Sequence, residues 1–265
     1  MYDEGETIVI LQQIVEAARK RVAAEKAWRP LEELRRAVEG GRAARDFRAA
    51  LEGPGIELIA EVKRASPSKG DLRPDLDVES LTLSYSRAGA AAISVLTEPA
   101  FFKGSLADLS RARDTVDLPL LCKDFIVDPY QVYQAYLAGA DCVLLIVAAL
   151  SPAALEELMG LAAELGLSAL VEVHDDKEMR SALGVGADLV GINNRNLVDF
   201  TVDLGTTLAL AKLAPSEVVL VSESGIRSRA DVLALQRAGA RAVLVGEMLI
   251  TSSDPEKEIR TLMGR

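Results

Sequence analysis

Six ionisable side chains stand where short apolar runs end. Glu61 and Lys63 close IELIAEVK (56–63), Lys123 lies near the end of LPLLCKDF (118–125), and Glu172 falls in LSALVEVH (167–174). Arg195 follows ADLVGINN (187–194), and Glu223 falls in EVVLVSES (217–224). A charge at the end of a buried run is costly unless it is paired or used. The types suit proton transfer onto and off an oxygen: an ammonium donates and steadies a developing oxyanion, and a carboxylate accepts. Lys63 and Arg195 could hold an anion, and Asn193 and Ser224 add hydrogen-bonding groups beside them. Three cations and three carboxylates cancel in charge. Mutual pairing on a solvated rim would explain any one of them, but six together read as chemistry.

Eight apolar runs can carry these residues: the five named above, AAAISVLTE (90–98), ADCVLLIVAAL (140–150) and ARAVLVGE (240–247). Amphipathic stretches separate them, the signature of parallel strands covered on both faces. SPAALEELMGLAAELG has a serine cap, proline at the first helical position and glycine at its end. SRADVLALQRAG repeats the design. Gly-Ala pairs at Gly89, Gly139, Gly186 and Gly239 recur at spacings of 50, 47 and 53 residues, the length of two βα units, and each glycine predicts a left-handed helix cap. The pattern predicts an α/β fold, a closed (β/α)₈ TIM barrel. An open doubly wound sheet would carry a Gly-rich loop after its first strand, and EVKRASPSKG is not one. Residues 7–28, with Leu11, Ile14, Val15, Ala18 and Val22 as an apolar stripe, and 44–51 read as helices outside the repeat. Residues 1–265 are expected to form one domain, with 1–54 its N-terminal helical extension.

Strand side chains alternate between faces, and the inward positions at the C-terminal ends meet at the catalytic mouth of such a barrel. That parity brings Glu61, Lys63, Lys123, Phe125, Glu172, Asn193 and Glu223 to one mouth and turns Cys122 outward. His174, two after Glu172, reads as a hydrogen-bonding residue at the rim and not as the base.

The chain of 265 residues is 49% hydrophobic and 26% charged, with 30 Lys and Arg against 40 Asp and Glu, a net charge of −10. That balance argues against nucleic acid or an anionic membrane as partner. The longest apolar run, Cys142 to Leu150, is nine residues, too short to span a bilayer, and MYDEGETIVI lacks the basic start of a signal peptide. A cytoplasmic protein is expected. The two cysteines, Cys122 and Cys142, read as small buried hydrophobes in a reducing compartment. One histidine excludes a multi-histidine metal site.

Phosphate is the expected anion. Barrels often bind it with the loops after strands seven and eight, here SESGIRS and VGEML, where Gly225 and Gly246 admit close backbone approach. Ser66-Pro67-Ser68 adds hydroxyls beside Lys63.

EVKRASPSKG, ISVLTE, KDFIVD, VEVH, GINNRNL, SESGI and VGE, in this order, resemble indole-3-glycerol-phosphate synthase of tryptophan biosynthesis. The resemblance implies a (β/α)₈ barrel with an N-terminal helical extension. It implies a reaction that closes an indole ring on 1-(2-carboxyphenylamino)-1-deoxyribulose 5-phosphate, releasing carbon dioxide and then water, with no cofactor or metal. The family's catalytic lysine falls on Lys123, its strand-one pair on Glu61 and Lys63, and its strand-five glutamate on Glu172. Asn193 and Arg195 match the strand-six pair, and Glu223 and Ser224 the strand-seven pair. Ser66, Gly225 and Gly246 match phosphate contacts, helped by Lys63. Phe102 and Phe125 match aromatics beside the substrate ring, and Leu144 and Leu244 its apolar lining.

Two positions depart from the family pattern. Glu247 stands after the last glycine, where some members have a small hydroxyl residue; a phosphate there would use the backbone N–H with the carboxylate turned away. VDLGT, with Gly205, replaces VDLET and puts a helix start in doubt. A Schiff-base aldolase on a sugar phosphate and a non-catalytic sugar-phosphate-binding barrel are the alternative readings. Association with other enzymes of the pathway is not legible.

Overall fold

In the computed structural model, which describes residues 4–196 and 199–265, eight parallel strands close a barrel. They are β1 Glu57–Val62, β2 Ala92–Leu96, β3 Leu120–Lys123, β4 Cys142–Ile146, β5 Ser168–Val173, β6 Leu189–Asn193, β7 Val219–Glu223 and β8 Ala242–Val245. Each pairs with its neighbours in sequence, and β8 closes on β1 with Glu57 beside Ala242. Every expected apolar run holds a strand, trimmed at one or both ends where the chain turns. The last residue of the GINNRNL motif, Leu197, lies outside the described residues.

Three helices precede the barrel: α1 Glu4–Trp28, α2 Leu31–Val38 and α3 Phe47–Ala50. Around it run α4 Val78–Arg87, α5 Leu106–Thr115, α6 Pro129–Leu137, α7 Pro152–Glu164, α8 Asp176–Gly184, α9 Gly205–Leu210, α10 Arg229–Arg237, α11 Glu247–Thr251 and α12 Pro255–Met263. Ser151 caps α7 by accepting from Ala154 N–H, and Ser228 with Asp231 forms a capping box on α10. Gly89, Gly139, Gly186 and Gly239 have φ of 86°, 98°, 81° and 107°, as the repeat predicted.

One expectation needs correction. The helix predicted over 44–51 is confined to Phe47–Ala50, because Asp46 is its cap and the Arg45 N–H is already given to Asp141 Oδ1 at 2.9 Å. α2 is not among the helices read from periodicity, although PLEEL at 30–34 is part of the family resemblance; it has eight residues, burying Leu34 with Leu31 and Val38 half-buried beside it. The doubt over Gly205 also resolves. α9 starts there without a side-chain cap from Leu204, and Asp203 Oδ1 accepts the Gly205 N–H at 2.8 Å in its place.

Alternation along the strands divides the core in two. Ile59, Ala92, Leu121, Leu144, Leu170, Val221 and Leu244 fill the barrel interior, with Phe47 and Leu51 packed against them. Arg48 of α3 donates to Glu217 O, just ahead of β7, so α3 seals the N-terminal end of the barrel. Burying Phe47 and Leu51 there stabilises by about 2 kcal/mol each. Outward residues such as Val95, Cys122, Val143 and Val190 meet the helices. Cys122 therefore points outward as the parity required, and Cys142 points inward. Both thiols are free, and burial pushes Cys122 up to about 12. No helix among the described residues is long and apolar enough to cross a membrane.

Candidate active site

The C-terminal strand ends surround a cavity of about 460 Å³. All sixteen residues expected at the site line it: Glu61, Lys63, Ser66, Phe102, Lys123, Phe125, Leu144, Glu172, Asn193, Arg195, Glu223, Ser224, Gly225, Leu244, Gly246 and Glu247.

Strand register assembles the charged centre. Leu96 pairs with Lys123, Glu172 with Gly191, and Asn193 with Glu223, and the side chains of Lys123, Glu172, Asn193 and Glu223 meet in the cavity. Lys123 Nζ lies 2.6 Å from Glu223 Oε2 and 3.4 Å from Glu172 Oε2. Asn193 Nδ2 donates to Glu172 Oε1 at 3.3 Å. Lys63 Nζ holds Glu61 Oε1 at 2.7 Å. The His174 ring stands between Glu172 and Glu178, as the rim position suggested.

Burial opposes every charge here, and the partners decide which survive. Burial would lower Lys123, but Glu223, Glu172 and Glu61 overrule it and hold the ammonium well above its ordinary range. Burial would likewise raise Glu61, yet Lys63 and Lys123 keep it below the usual carboxylate value. For Glu172 the opposing cations Lys123 and His174, with Asn193, win and hold it down at about 2. Glu223 goes the other way. Burial and the like charges of Glu172 and Glu61 outweigh Lys123 and push it up to about 7. Glu61 has Lys63 and Glu172 has His174, while Glu223 shares Lys123 with Glu172 and has its Oε1 buried without a hydrogen-bond partner among the described residues, so it is the carboxylate close to protonation.

Glycines make the space. A Cβ on Gly191 would lie 2.2 Å from Glu223 Oε1, and one on Gly246 would lie 2.5 Å from Glu61 Oε1. Gly246 thus admits the Glu61 carboxylate in addition to opening the eighth loop. Ser224 has φ 68° and Gly225 φ 83°, a left-handed turn that costs a non-glycine residue about 1 kcal/mol or more. Asn194 holds it. Its Nδ2 donates to Ser222 Oγ, Glu223 O and Ser224 O, at 2.9, 2.9 and 3.1 Å.

Phe102 and Phe125 stand with ring centroids 5.9 Å apart on one side of the cavity. Glu98, at the end of the second run, fixes Phe102 by accepting from the backbone N–H groups of Phe101 and Phe102 at 2.7 and 3.1 Å. Opposite, Ser66, Pro67, Ser68, Gly225, Arg227 and Gly246 line the end expected to take phosphate. The Glu247 carboxylate reaches 3.8 Å from Lys69 Nζ, and Glu247 itself opens the first turn of α11.

Sequence reasoning missed several contributors. Ile10, Leu11 and Ile14 of α1 line the cavity. The helix is bolted over it by Arg21, which donates to both Asp124 oxygens at 3.0 and 2.8 Å, and by Lys26 on Asp128 at 2.6 Å. The apolar stripe on α1 was legible; its target was not. Asn194 and Gly191 fall in the GINN motif, but parity alone gave them no role.

The comparisons with known proteins agree with this geometry. A family model described as indole-3-glycerol phosphate synthase matches residues 11–262. The chain belongs to the indole-3-glycerol phosphate synthase family. An indole-3-glycerol phosphate synthase of Mycolicibacterium gilvum (strain PYR-GCK) is 48% identical over 254 residues, 96% of this chain and 93% of that protein. One of Bacillus thuringiensis (strain Al Hakam) is 50% identical over 246 residues, 92% of this chain and 94% of that protein. Among solved structures, 3-hexulose-6-phosphate synthase from Salmonella typhimurium superposes with a TM-score of 0.64 at 15% identity, covering 79% of this chain and 97% of that one. At that identity the likeness concerns the barrel fold alone.

Proposed function

We propose that this chain converts 1-(2-carboxyphenylamino)-1-deoxyribulose 5-phosphate to indole-3-glycerol phosphate, with loss of carbon dioxide and water. The observation that carries the reading is Lys123, held as an ammonium between Glu223 and Glu172 in a cavity with aromatics at one end and glycine loops at the other.

In this reading the anthranilate ring lies against Phe102 and Phe125, with Leu144 and Leu244 beneath. Arg195 takes the carboxylate, and Asn193, Glu223 and Ser224 hold hydroxyls. The phosphate lies against Ser66, Lys63 and the backbone N–H groups of Gly225, Gly246 and Glu247. The carboxyl-bearing ring carbon attacks the sugar carbonyl carbon. As the C–C bond forms, the carbonyl oxygen gains charge and takes a proton from Lys123. Such general acid catalysis contributes about 10²–10⁴-fold, and the ammonium steadies the oxyanion first. Loss of carbon dioxide restores the aromatic ring. In the last step the new hydroxyl leaves as water with a proton from Lys63, oriented by Glu61, while Glu172 removes a ring proton.

An ammonium paired with carboxylates is a poor nucleophile, since Schiff-base chemistry needs the neutral amine, and this favours the synthase over the aldolase. We further infer one domain with residues 1–54 as its helical extension, a cytoplasmic location, and no nucleic-acid partner for so acidic a chain. The test is indole fluorescence on mixing the protein with the substrate in EDTA. Appearance of the indole product is expected; no product would refute the reading.

A further inference from the structure

Behind Glu172 stands a chain of charged groups. Glu172 Oε2 faces Lys123, and Oε1 receives Asn193 Nδ2. His174 Nε2 lies 3.3 Å from the same Oε1, an ion-pair contact off the hydrogen-bond axis. The other ring nitrogen, Nδ1, lies 3.0 Å from Glu178 Oε2, which also accepts the His174 backbone N–H at 2.8 Å. Glu178 is itself fixed in the first turn of α8, where Asp175 accepts its N–H at 2.8 Å.

A neutral imidazole has one N–H and one lone pair, so it would aim a lone pair at one of these two carboxylates. Only as imidazolium does the ring present no lone pair to either carboxylate, donating from Nδ1 to Glu178 and setting its charge beside Glu172. The other charged groups lining the cavity beside the ring are Asp175 at the start of α8, Arg195 after β6 and Asp203 ahead of α9; α1 contributes the uncharged Leu11 and Gln12. Burial works against the charge, but Glu172 and Glu178 together raise His174 to about 10.

The arrangement matters when Lys123 acts. Lys123 is shared with Glu223, and once its proton passes to the substrate Glu172 loses that counter-charge. Asn193 offers a dipole, not a charge. We propose that His174, held by Glu178, is a positioning residue for Glu172, the fixed counter-charge that keeps it an ionised proton acceptor after Lys123 has donated. This rests on the role given to Glu172 above.

His174 is the single histidine of the chain, so its ring resonances are unambiguous. The experiment pairs ring NMR titration of wild type and Glu178→Gln with kcat measured from pH 6 to 9 for wild type, Glu178→Gln and His174→Gln. The wild-type ring should stay doubly protonated through pH 8.5, and its midpoint should fall by about one unit or more in Glu178→Gln. His174→Gln should lose kcat about tenfold or more, with KM within about threefold. Glu178→Gln should follow wild type within about threefold at pH 6 and decline towards the His174→Gln level as pH rises through its own ring midpoint. A wild-type ring titrating near 6.5, or a Glu178→Gln to wild-type ratio flat with pH, would overturn the proposal. If His174→Gln does not fold, Glu178→Gln decides alone. If wild type shows no turnover, the function reading falls, and the ring titration still decides whether His174 carries the clamp's charge.

Discussion

Gly191 of β6 leaves the space that the Glu223 carboxylate of β7 occupies, although in strand register Gly191 pairs with Val221 and Glu223 with Asn193. A Cβ on Gly191 would lie 2.2 Å from Glu223 Oε1, while the other oxygen of Glu223 holds Lys123 Nζ at 2.6 Å. Both contacts involve barrel-lining positions, where neither backbone can retreat without opening the strand ladder.

Gly191→Ala is therefore expected to displace the Glu223 carboxylate and take Lys123 out of register. A shift of about 1 Å in a catalytic group costs about 10²-fold. kcat should fall by that order, with a thermal midpoint a few degrees lower. A variant with wild-type kcat would mean that the Lys123–Glu223 contact is dispensable.

Arg21 is expected to be the main bolt of α1. Removing it leaves Asp124, whose side chain is 8% exposed, without its bidentate partner. Arg21→Ala should cost about 2 kcal/mol, less than a fully buried pair because Arg21 retains some contact with water. Since Ile10, Leu11 and Ile14 of α1 line the cavity, KM should rise along with the loss of thermal stability. Equilibrium unfolding and steady-state kinetics on one preparation check both; a KM unchanged alongside lost stability would confine α1 to a structural role.

Stability should decline on the alkaline side. The folded-state value for His174, about 10, stands above the ordinary 6.5. Its contribution is fully present below pH 6.5 and is lost as pH rises through 10. Denaturant midpoints for wild type should fall across that window, and His174→Gln should flatten the fall. Parallel curves would place the alkaline loss on other groups.

Most of the barrel was legible because eight buried strands write themselves as apolar runs, and the glycine caps at Gly89, Gly139, Gly186 and Gly239 repeat with the βα unit. The polar centre was legible by parity, since Glu61, Lys123, Glu172, Asn193 and Glu223 stand at inward positions. What parity cannot give is a partner across the barrel. Nothing local in GINN distinguishes Gly191, which makes room for a carboxylate on the next strand, from a glycine that relieves a turn. Asn194 points away from the cavity and acts by tying Ser222 and Glu223 of β7 to Ser224 just beyond it, a long-range role that a single strand does not encode. The periodicity reading passed over α2 because its stripe, Leu31, Leu34 and Val38, spans only eight residues.

The central claim is that the Lys123 ammonium delivers the proton that makes ring closure possible. Single-turnover ring closure by Lys123→Ala, measured beside its affinity for the indole product, tests it most directly. Closure is expected to slow by about 10²–10⁴-fold, with product affinity within a few-fold of wild type. Closure at a near wild-type rate would contradict it.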